Sequence, residues 1–457
     1  MLNPSRLAST FVLTLSAILS VSAVSLDVDS KESVCDAAKY VLDGTLNYYE
    51  GLKPGGTVGM FAPPNYWWNA GEAFGGIVDF YTFCNSTNET LRELIIDAMY
   101  HQAGENFNYI PSNQSMTEGN DDQGVWVMAI MQAVERNFTN PADHSWLSMT
   151  IAAFNTMNAR WDTDHCGGGL RWQIFTWNSG YSYKNSVSNG CLFHLAARLA
   201  RYLGNDTYAD VADKVWDWME NTVEFLTDVD GTVTLYDGAN IDTNCTDLTK
   251  KQWTYTYGIF MAGAAYMYDY TKDEKWLNRV NDLMETSAST FFPKSNGGYM
   301  TEIQCFFSNT CNNDQRSFRS LFSRCIGLTM KLVNSTQEVL GPLIEQSAKG
   351  AAASCSGGAD GITCGMNWAS GNWDGIYGLG EQTSALEVMN ALIVEEPLKR
   401  SADPEVADKI DYNAGLNSHD TVNQNEITVT GKDRAGAGVL TAVVLGILLG
   451  GGAWMIF

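Results

Sequence analysis

The chain is predicted to be all-α, an (α/α)6 barrel of six helical hairpins, on three observations. Twelve segments between Ser30 and Ile393 carry helical periodicity, near 31–50, 70–83, 89–102, 121–137, 143–160, 184–203, 207–226, 253–271, 273–291, 314–333, 335–353 and 380–393. These segments alternate between amphipathic and wholly apolar. The stretches that lead into the apolar ones share a common composition.

The odd-numbered helices belong outside. In the seventh, Tyr208, Val211, Val215, Trp218, Met219, Thr222 and Leu226 recur at helical spacing, with Asp210, Asp213, Asp217 and Glu220 elsewhere. The ninth repeats the pattern with Trp276, Val280, Leu283, Met284 and Ser287. The even-numbered helices belong inside. Gly124 to Val134, Gly190 to Leu195 and Gly258 to Tyr268 are apolar or small with hardly a charge, and a helix without a polar face is enclosed by other helices. No sequence repeat shows at a fixed period, which makes a solenoid the weaker architecture.

Inner helices of such a ring run parallel, so their six entrances meet at one end. The entrances are Trp67–Glu72, Gly119–Gln123, Trp177–Asn185, Gln252–Gly258, Asn312–Arg316 and Gly375–Gln382. They bring glycines, aromatic rings and hydrogen-bonding side chains. A cleft of that kind suits a sugar, whose C–H faces stack on rings while its hydroxyls bond to amides and acids. Any one of these stretches alone reads as a plain loop with a packing aromatic; six in register carry the argument.

The chemistry concentrates in Gly119-Asn120-Asp121-Asp122-Gln123, which sets two adjacent carboxylates at the mouth of a buried helix. The first turn exposes unpaired N–H groups and the positive end of the dipole, so acids belong there. Two carboxylates enclosed together cannot both ionise freely, which separates them into a base or nucleophile and an acid. The plain alternative is that Asn120 or Asp121 is an N-cap and Asp122 a first-turn acid.

The ends of the chain suggest where it works. Residues 1–23 combine Arg6, an apolar run from Leu7 to Leu19 and the small-residue site Val21-Ser22-Ala23, the pattern of a secretory signal peptide. The catalytic domain is expected over 24–395, followed by a polar linker at 396–435 and a hydrophobic tail at 436–457. The linker offers Asn423, Asn425 and Gly431 as small attachment candidates, and the tail carries no charge. Together they point to a glycosylphosphatidylinositol (GPI) anchor and an outward-facing protein at the membrane and cell wall, ahead of a true membrane span.

Composition agrees with that compartment. Ten cysteines form an even set that an oxidising environment would pair; Cys305 with Cys311 and Cys355 with Cys364 are close enough to staple single loops. Seven glycosylation sequons (Asn85, Asn88, Asn113, Asn137, Asn205, Asn244, Asn334) suit a secreted surface. The net charge of −24 argues against nucleic acid and anionic lipid as partners. Without a Cys-x-x-Cys pair or histidine cluster, zinc and redox roles find no support. Asp228, Asp230, Asp237 and Asp242 lie in a segment of Asx-Gly turns with alternating Val233 and Leu235, which predicts a small hairpin over the cleft. The incomplete calcium-loop pattern favours turn chemistry there over a metal site.

The tandem Asp121-Asp122-Gln123, the segment Tyr183–Gly190 and the segment Trp253–Gly258 resemble glycoside hydrolase family 76, the endo-α-1,6-mannanases, and within it the fungal GPI-anchored branch. The resemblance covers about Ser30 to Ile393. It implies the same barrel, retaining chemistry without an obligatory cofactor, Asp121 as nucleophile and Asp122 as general acid/base. It also implies transfer of GPI-anchored proteins from their core glycan to wall β-glucan, so the partners are α-1,6-mannose glycans, the GPI-core glycan and a β-glucan acceptor. Thr256-Tyr257-Gly258 stands where many bacterial members look like Asn-Gln-Gly, which fits a changed substrate. Candidate substrate-binding residues are Trp68, Gln123, Trp177, Lys184, Asn185, Asn189, Asp237, Trp253, Tyr255 and Tyr257. The rivals are a purely hydrolytic endo-α-1,6-mannanase and a non-catalytic glycan-binding wall protein; the second gains little from two enclosed like charges.

Overall fold

Helices with no polar face have to be covered on all sides, and this chain covers them with one another. The computed structural model describes residues 24–399, 410–416 and 431–456. The expected signal peptide and most of the linker lie outside these residues. The twelve predicted helices all form: α1 (Lys31–Leu46), α2 (Trp67–Phe83), α3 (Glu89–His101), α4 (Asn120–Glu135), α5 (Trp146–Ala159), α6 (Ser186–Leu203), α7 (Asp206–Asp217), α8 (Thr254–Thr271), α9 (Glu274–Phe291), α10 (Phe318–Leu332), α11 (Gln337–Ser354) and α12 (Leu379–Asn390). In α4 every residue from Gln123 to Glu135 is buried, and in α12 every residue is. The even-numbered helices pack each on the next, and α12 closes back onto α2. Around this ring α1, α3, α5, α7, α9 and α11 form the outer layer, each packed on its inner neighbour. The result is the (α/α)6 barrel.

Outer helices begin with strong side-chain caps: Ser30, Asn88, Ser145, Asn205 and Asp273 each accept from a first-turn N–H. The inner entrances are bent to other uses. α10 starts at Phe318 and not at the predicted 314, because Asp314 O accepts from Ser317 N (2.8 Å) and Asn312 O from Arg316 N (3.2 Å), folding 312–317 into a turn. α6 starts at Ser186 because β1 (Tyr183–Asn185) pairs antiparallel with β4 (Gly238–Asn240), which in turn pairs with β5 (Leu248–Thr249). The predicted hairpin forms as β2 (Leu226–Val229) and β3 (Thr232–Leu235), but it does not lie over the cleft. It packs on the flank, where Thr286 Oγ1 donates to Val233 O (2.8 Å) and Leu235 N donates to the Tyr257 hydroxyl (2.8 Å). Asp228 Oδ1 accepts from Gly231 N (2.7 Å), which is turn chemistry.

The barrel axis is polar, which the nearly uncharged look of the inner helices did not predict. Arg198 of α6 donates to Gln132 and Glu135 of α4, and the Tyr266 hydroxyl of α8 also donates to Glu135 (2.8 Å). Gln132 Nε2 donates to both oxygens of Asp79 on α2 (2.7 and 2.6 Å). Arg324 of α10 pairs with Glu387 of α12 and donates to Glu72 O of α2 (2.7 Å), while Asn390 Nδ2 of α12 donates to Gly76 O (3.0 Å). All six inner helices are thereby tied to one another.

Covalent ties follow the expected compartment with one correction. Cys35–Cys84 joins α1 to the end of α2, Cys166–Cys245 joins the segments ahead of α6 and α8, and Cys305–Cys311 and Cys355–Cys364 staple single loops. Cys191 and Cys325 do not pair. They sit inside α6 and α10, buried at positions that serve helix packing. Beyond the barrel, residues 410–416 lie along α5, with Asn155 Nδ2 donating to Tyr412 O (2.9 Å) and Ala414 O (2.8 Å). α13 (Gly431–Ile456) exposes its described apolar side chains from Val439 to Leu449; among the described residues no helix is long and apolar enough to cross a membrane.

Burial holds Glu72 well above the ordinary carboxyl range, at about 8, and raises Glu302 to about 7. Folded chains therefore keep protons that unfolded chains release, so this contribution is complete below about pH 4.5 and lost as pH rises toward 8. His194, lowered to about 3 chiefly by burial, acts in the opposite direction only below its ordinary value of about 6.5. Thermal melting should accordingly fall by several degrees between pH 6.5 and 8, and Glu72→Gln should flatten that slope; an unchanged slope would remove Glu72 as its source.

Candidate active site

The parallel inner helices bring their N-terminal ends together around a cleft of about 430 Å³. Its walls come from five of the six predicted entrances: Tyr66, Trp67 and Trp68 ahead of and within α2, Glu118, Asp121 and Asp122 at α4, Asn178 and Ser179 ahead of α6, Tyr255 on α8, and Asp314 and Phe318 at α10. The sixth entrance, at α12, does not reach it. Tyr255 stacks on Phe318 with centroids 3.9 Å apart, and Trp68 packs beside the same ring. Among the described residues no lysine, arginine or histidine lines the cleft.

The two aspartates are set by how α4 begins. Asn120 is clamped from three sides: its N–H donates to Trp172 O (2.8 Å), its Nδ2 to Arg171 O (2.9 Å), and its Oδ1 accepts from Arg160 Nε (2.8 Å). Gly119 is the N-cap residue, and Asp122 Oδ2 reaches back to accept its N–H (2.6 Å). Asp121 Oδ1 accepts from Asp122 N (3.1 Å), its Oδ2 from Asn185 Nδ2 (3.4 Å), and the Trp172 indole also donates to it. A Cβ on Gly119 would lie 2.3 Å from Asp121 Oδ1 and 3.1 Å from Asp122 Oδ2. Both carboxylates thus converge on one point, and only glycine leaves them room. The two oxygens can be no farther apart than the sum of those distances, so the two carboxyls are close neighbours at the start of α4.

Their environments differ. Burial raises Asp121 to about 7 against the pull of several donors. Burial also raises Asp122, and the neighbouring Asp121 charge raises it further, with Asp314 adding to the effect. Asp121, with more hydrogen bonds to its anion, ionises first, and Asp122 keeps its proton.

Of the other predicted residues, Trp68 and Tyr255 line the cleft and Asn185 touches Asp121 while capping α6 through Ser188 N (3.1 Å). The rest do not enter it. Lys184 is fully buried, donating to the carbonyls of Asp162, His165 and Gly168 (3.0, 2.7 and 2.6 Å), so its ammonium pins a loop. Gln123 turns away to Asn108 O and Thr156, and Asn189 bonds Leu170 O and N. Tyr257 is buried between Gln252 and Leu235. Asp237 braces the entrance, accepting from the Tyr183 hydroxyl (2.6 Å) and Trp253 Nε1 (2.7 Å), which accounts for both Asp237 and Trp253. Trp177 stands outside the lining, at the rim.

Trp172 is the main residue the sequence reading missed. It arrives on the long connection between α5 and α6, ahead of the stretch taken as the entrance. Gly180 (φ +97°) makes its place: a Cβ there would lie 2.4 Å from the Trp172 ring. A glycine forced into that conformation beside an aromatic-rich stretch was the available signal.

Asn185→Ser separates two roles of one side chain, because serine caps a helix as well as asparagine but cannot reach Asp121. The Asp121 carboxyl, followed by carbon-detected NMR, should titrate about half a pH unit higher, with melting changed by less than about 2 °C. An unmoved titration would show that the 3.4 Å contact does not hold the anion.

The family model for glycosyl hydrolase family 76 matches residues 33–403. The chain is 65% identical to the mannan endo-1,6-alpha-mannosidase DFG5 of Candida albicans, with 97% of this chain and 99% of that protein covered. It is 52% identical to the DFG5 of Saccharomyces cerevisiae, covering 97% and 96%. Among solved structures, Dfg5 from Chaetomium thermophilum in complex with glucosamine superposes with a TM-score of 0.79 at 33% identity, covering 87% of this chain and 99% of that one. An inactive variant of the α-1,6-mannanase GH76A of Salegentibacter sp., crystallised with α-1,6-mannotetrose, shares the fold at 16% identity and a TM-score of 0.62, covering 79% and 98%. On a family match across most of its length and relatives this similar over nearly their whole chains, the protein belongs to glycoside hydrolase family 76.

Proposed function

We propose that this protein is a retaining glycosidase of α-1,6-mannosidic bonds that works chiefly as a transglycosidase, moving GPI-anchored proteins from their core glycan onto cell-wall β-glucan. The observation that carries it is the convergence of Asp121 and Asp122 on the space over Gly119, with unequal environments. The curated relatives are named for endo-1,6-α-mannosidase activity on mannan, and the inactive bacterial mannanase carries two consecutive substituted aspartates. Those names supply the bond; the cleft supplies the means.

In the first half-reaction the ionised Asp121 attacks the anomeric carbon of the mannose and the C1–O bond to the leaving sugar breaks. Asp122 gives its proton to the departing oxygen, leaving a mannosyl ester on Asp121 and a carboxylate on Asp122. In the second, Asp122 takes the proton of an acceptor hydroxyl as that oxygen bonds to C1, and the ester breaks to restore Asp121. Water as acceptor gives hydrolysis; a glucan hydroxyl gives transfer. Asn185 and Trp172 steady the Asp121 anion between turnovers. Four disulfides suit an oxidising compartment, and a lipid anchor on the outer membrane face would hold the enzyme where anchored donors are concentrated.

Asp121→Asn and Asp122→Asn should each lower turnover by several orders of magnitude, because the pair acts as a unit, with melting nearly unchanged. Activity within tenfold of wild type in both would overturn the assignment. Given an α-1,6-mannoside donor and a β-glucan oligosaccharide, mass spectrometry should find transfer product and slow release of free mannan fragments. Rapid mannan hydrolysis without transfer would identify a plain endo-mannanase.

A further inference from the structure

Beyond the cleft lining, the loop ahead of α6 carries an exposed tryptophan that is held in place. Trp177 is 45% exposed, yet its ring is fixed: the indole N–H donates to Ser115 O (3.1 Å) and the ring stacks on Phe175, with centroids 4.9 Å apart and planes 21° from parallel. Asn178 Nδ2 donates to the same Ser115 carbonyl and to Gln173 Oε1 (both 3.1 Å), locking this loop to the segment ahead of α4. An indole held by a hydrogen bond and a stacked ring presents a pre-ordered apolar surface, the kind on which a sugar's C–H face can lie. The stacked pair also continues a wall already described, since Asn178 and Ser179, which follow Trp177 in the chain, and Met116, which follows its partner Ser115, line the cleft.

We propose that Trp177, backed by Phe175, is an acceptor platform on which a β-linked glucan chain lies as it enters the cleft. This deepens the transfer reading above and rests on it. The chemistry of the ring selects the occupant. A β-glucopyranose carries all its substituents equatorially and offers C–H bonds on both faces, whereas mannose has an axial hydroxyl at C2 that breaks one face. A flat, fixed aromatic surface with its own polar atom turned inward discriminates by that difference. It lies outside the lining of the cleft that holds Asp121 and Asp122.

The test is calorimetric titration of the intact enzyme with two probes, a β-1,3-linked glucose hexasaccharide and α-1,6-mannotriose. Trp177→Ala should weaken the glucan at least tenfold and change the mannotriose less than twofold; Trp177→Phe should stay within about threefold of wild type for both. Glucan binding unchanged in Trp177→Ala, or both probes weakened in parallel, would overturn the platform. Mannotriose binding by a wild-type enzyme that ignores the glucan would likewise overturn it while leaving the mannosidase reading intact. Loss of mannotriose binding in wild type would instead strike the mannosidase reading.

Discussion

The polar axis of the barrel is the constraint on which everything else rests. Arg198 and Arg324 are charged groups buried away from solvent, and each must find its carboxylate on a neighbouring inner helix. Ridge-into-groove packing of apolar helices tolerates sliding by a turn; a buried Arg–Glu pair does not, because one turn of slip leaves two charges unpaired. The network through Asp79, Gln132, Glu135, Tyr266 and Glu387 therefore fixes the height of six helices relative to one another. Their N-terminal ends are level as a consequence, and a cleft exists only because they are level.

At that end a second device works on a smaller scale. A helix start leaves N–H groups without partners, and most outer helices of this protein satisfy one with a capping side chain from the residue before. α4 has a glycine at that position, and the carboxylate of Asp122 reaches back to its N–H instead. This leaves Asp121 free to take donors from α6 and from Trp172. Asymmetry between two chemically identical neighbours thus comes from ordinary helix-start hydrogen bonding.

The helices and the tandem aspartates were legible because they rest on local rules: periodicity, breakers and first-turn chemistry. The direction in which an entrance side chain points is not local. Lys184 and Asn185 are adjacent in β1, so pleating sends one into the loop at 162–168 and the other to Asp121. Tyr257 and Tyr255 divide for a related reason, being two residues apart on a helix and so on different faces. Asp314 reaches the cleft because 312–317 turns before α10 begins, which the continuous helical pattern concealed. The axis charges escaped notice because a single arginine every turn or two does not disturb an apolar average, although it decides the packing.

The stretch at 410–416 bears on how far this barrel could stand from anything its C-terminal end is fixed to. A chain leaving at Lys399 and fully extended to Gly431 could reach about 110 Å. Held against α5 through Asn155, it departs again at residue 416, and 417–430 can extend about 50 Å at most. Gly415 sits against Ala152, at the middle of α5, so the segment is fixed to the barrel wall about halfway along that helix. A leash shortened in this way would keep the barrel within about half the distance that the free chain would otherwise allow from whatever holds its C-terminal end.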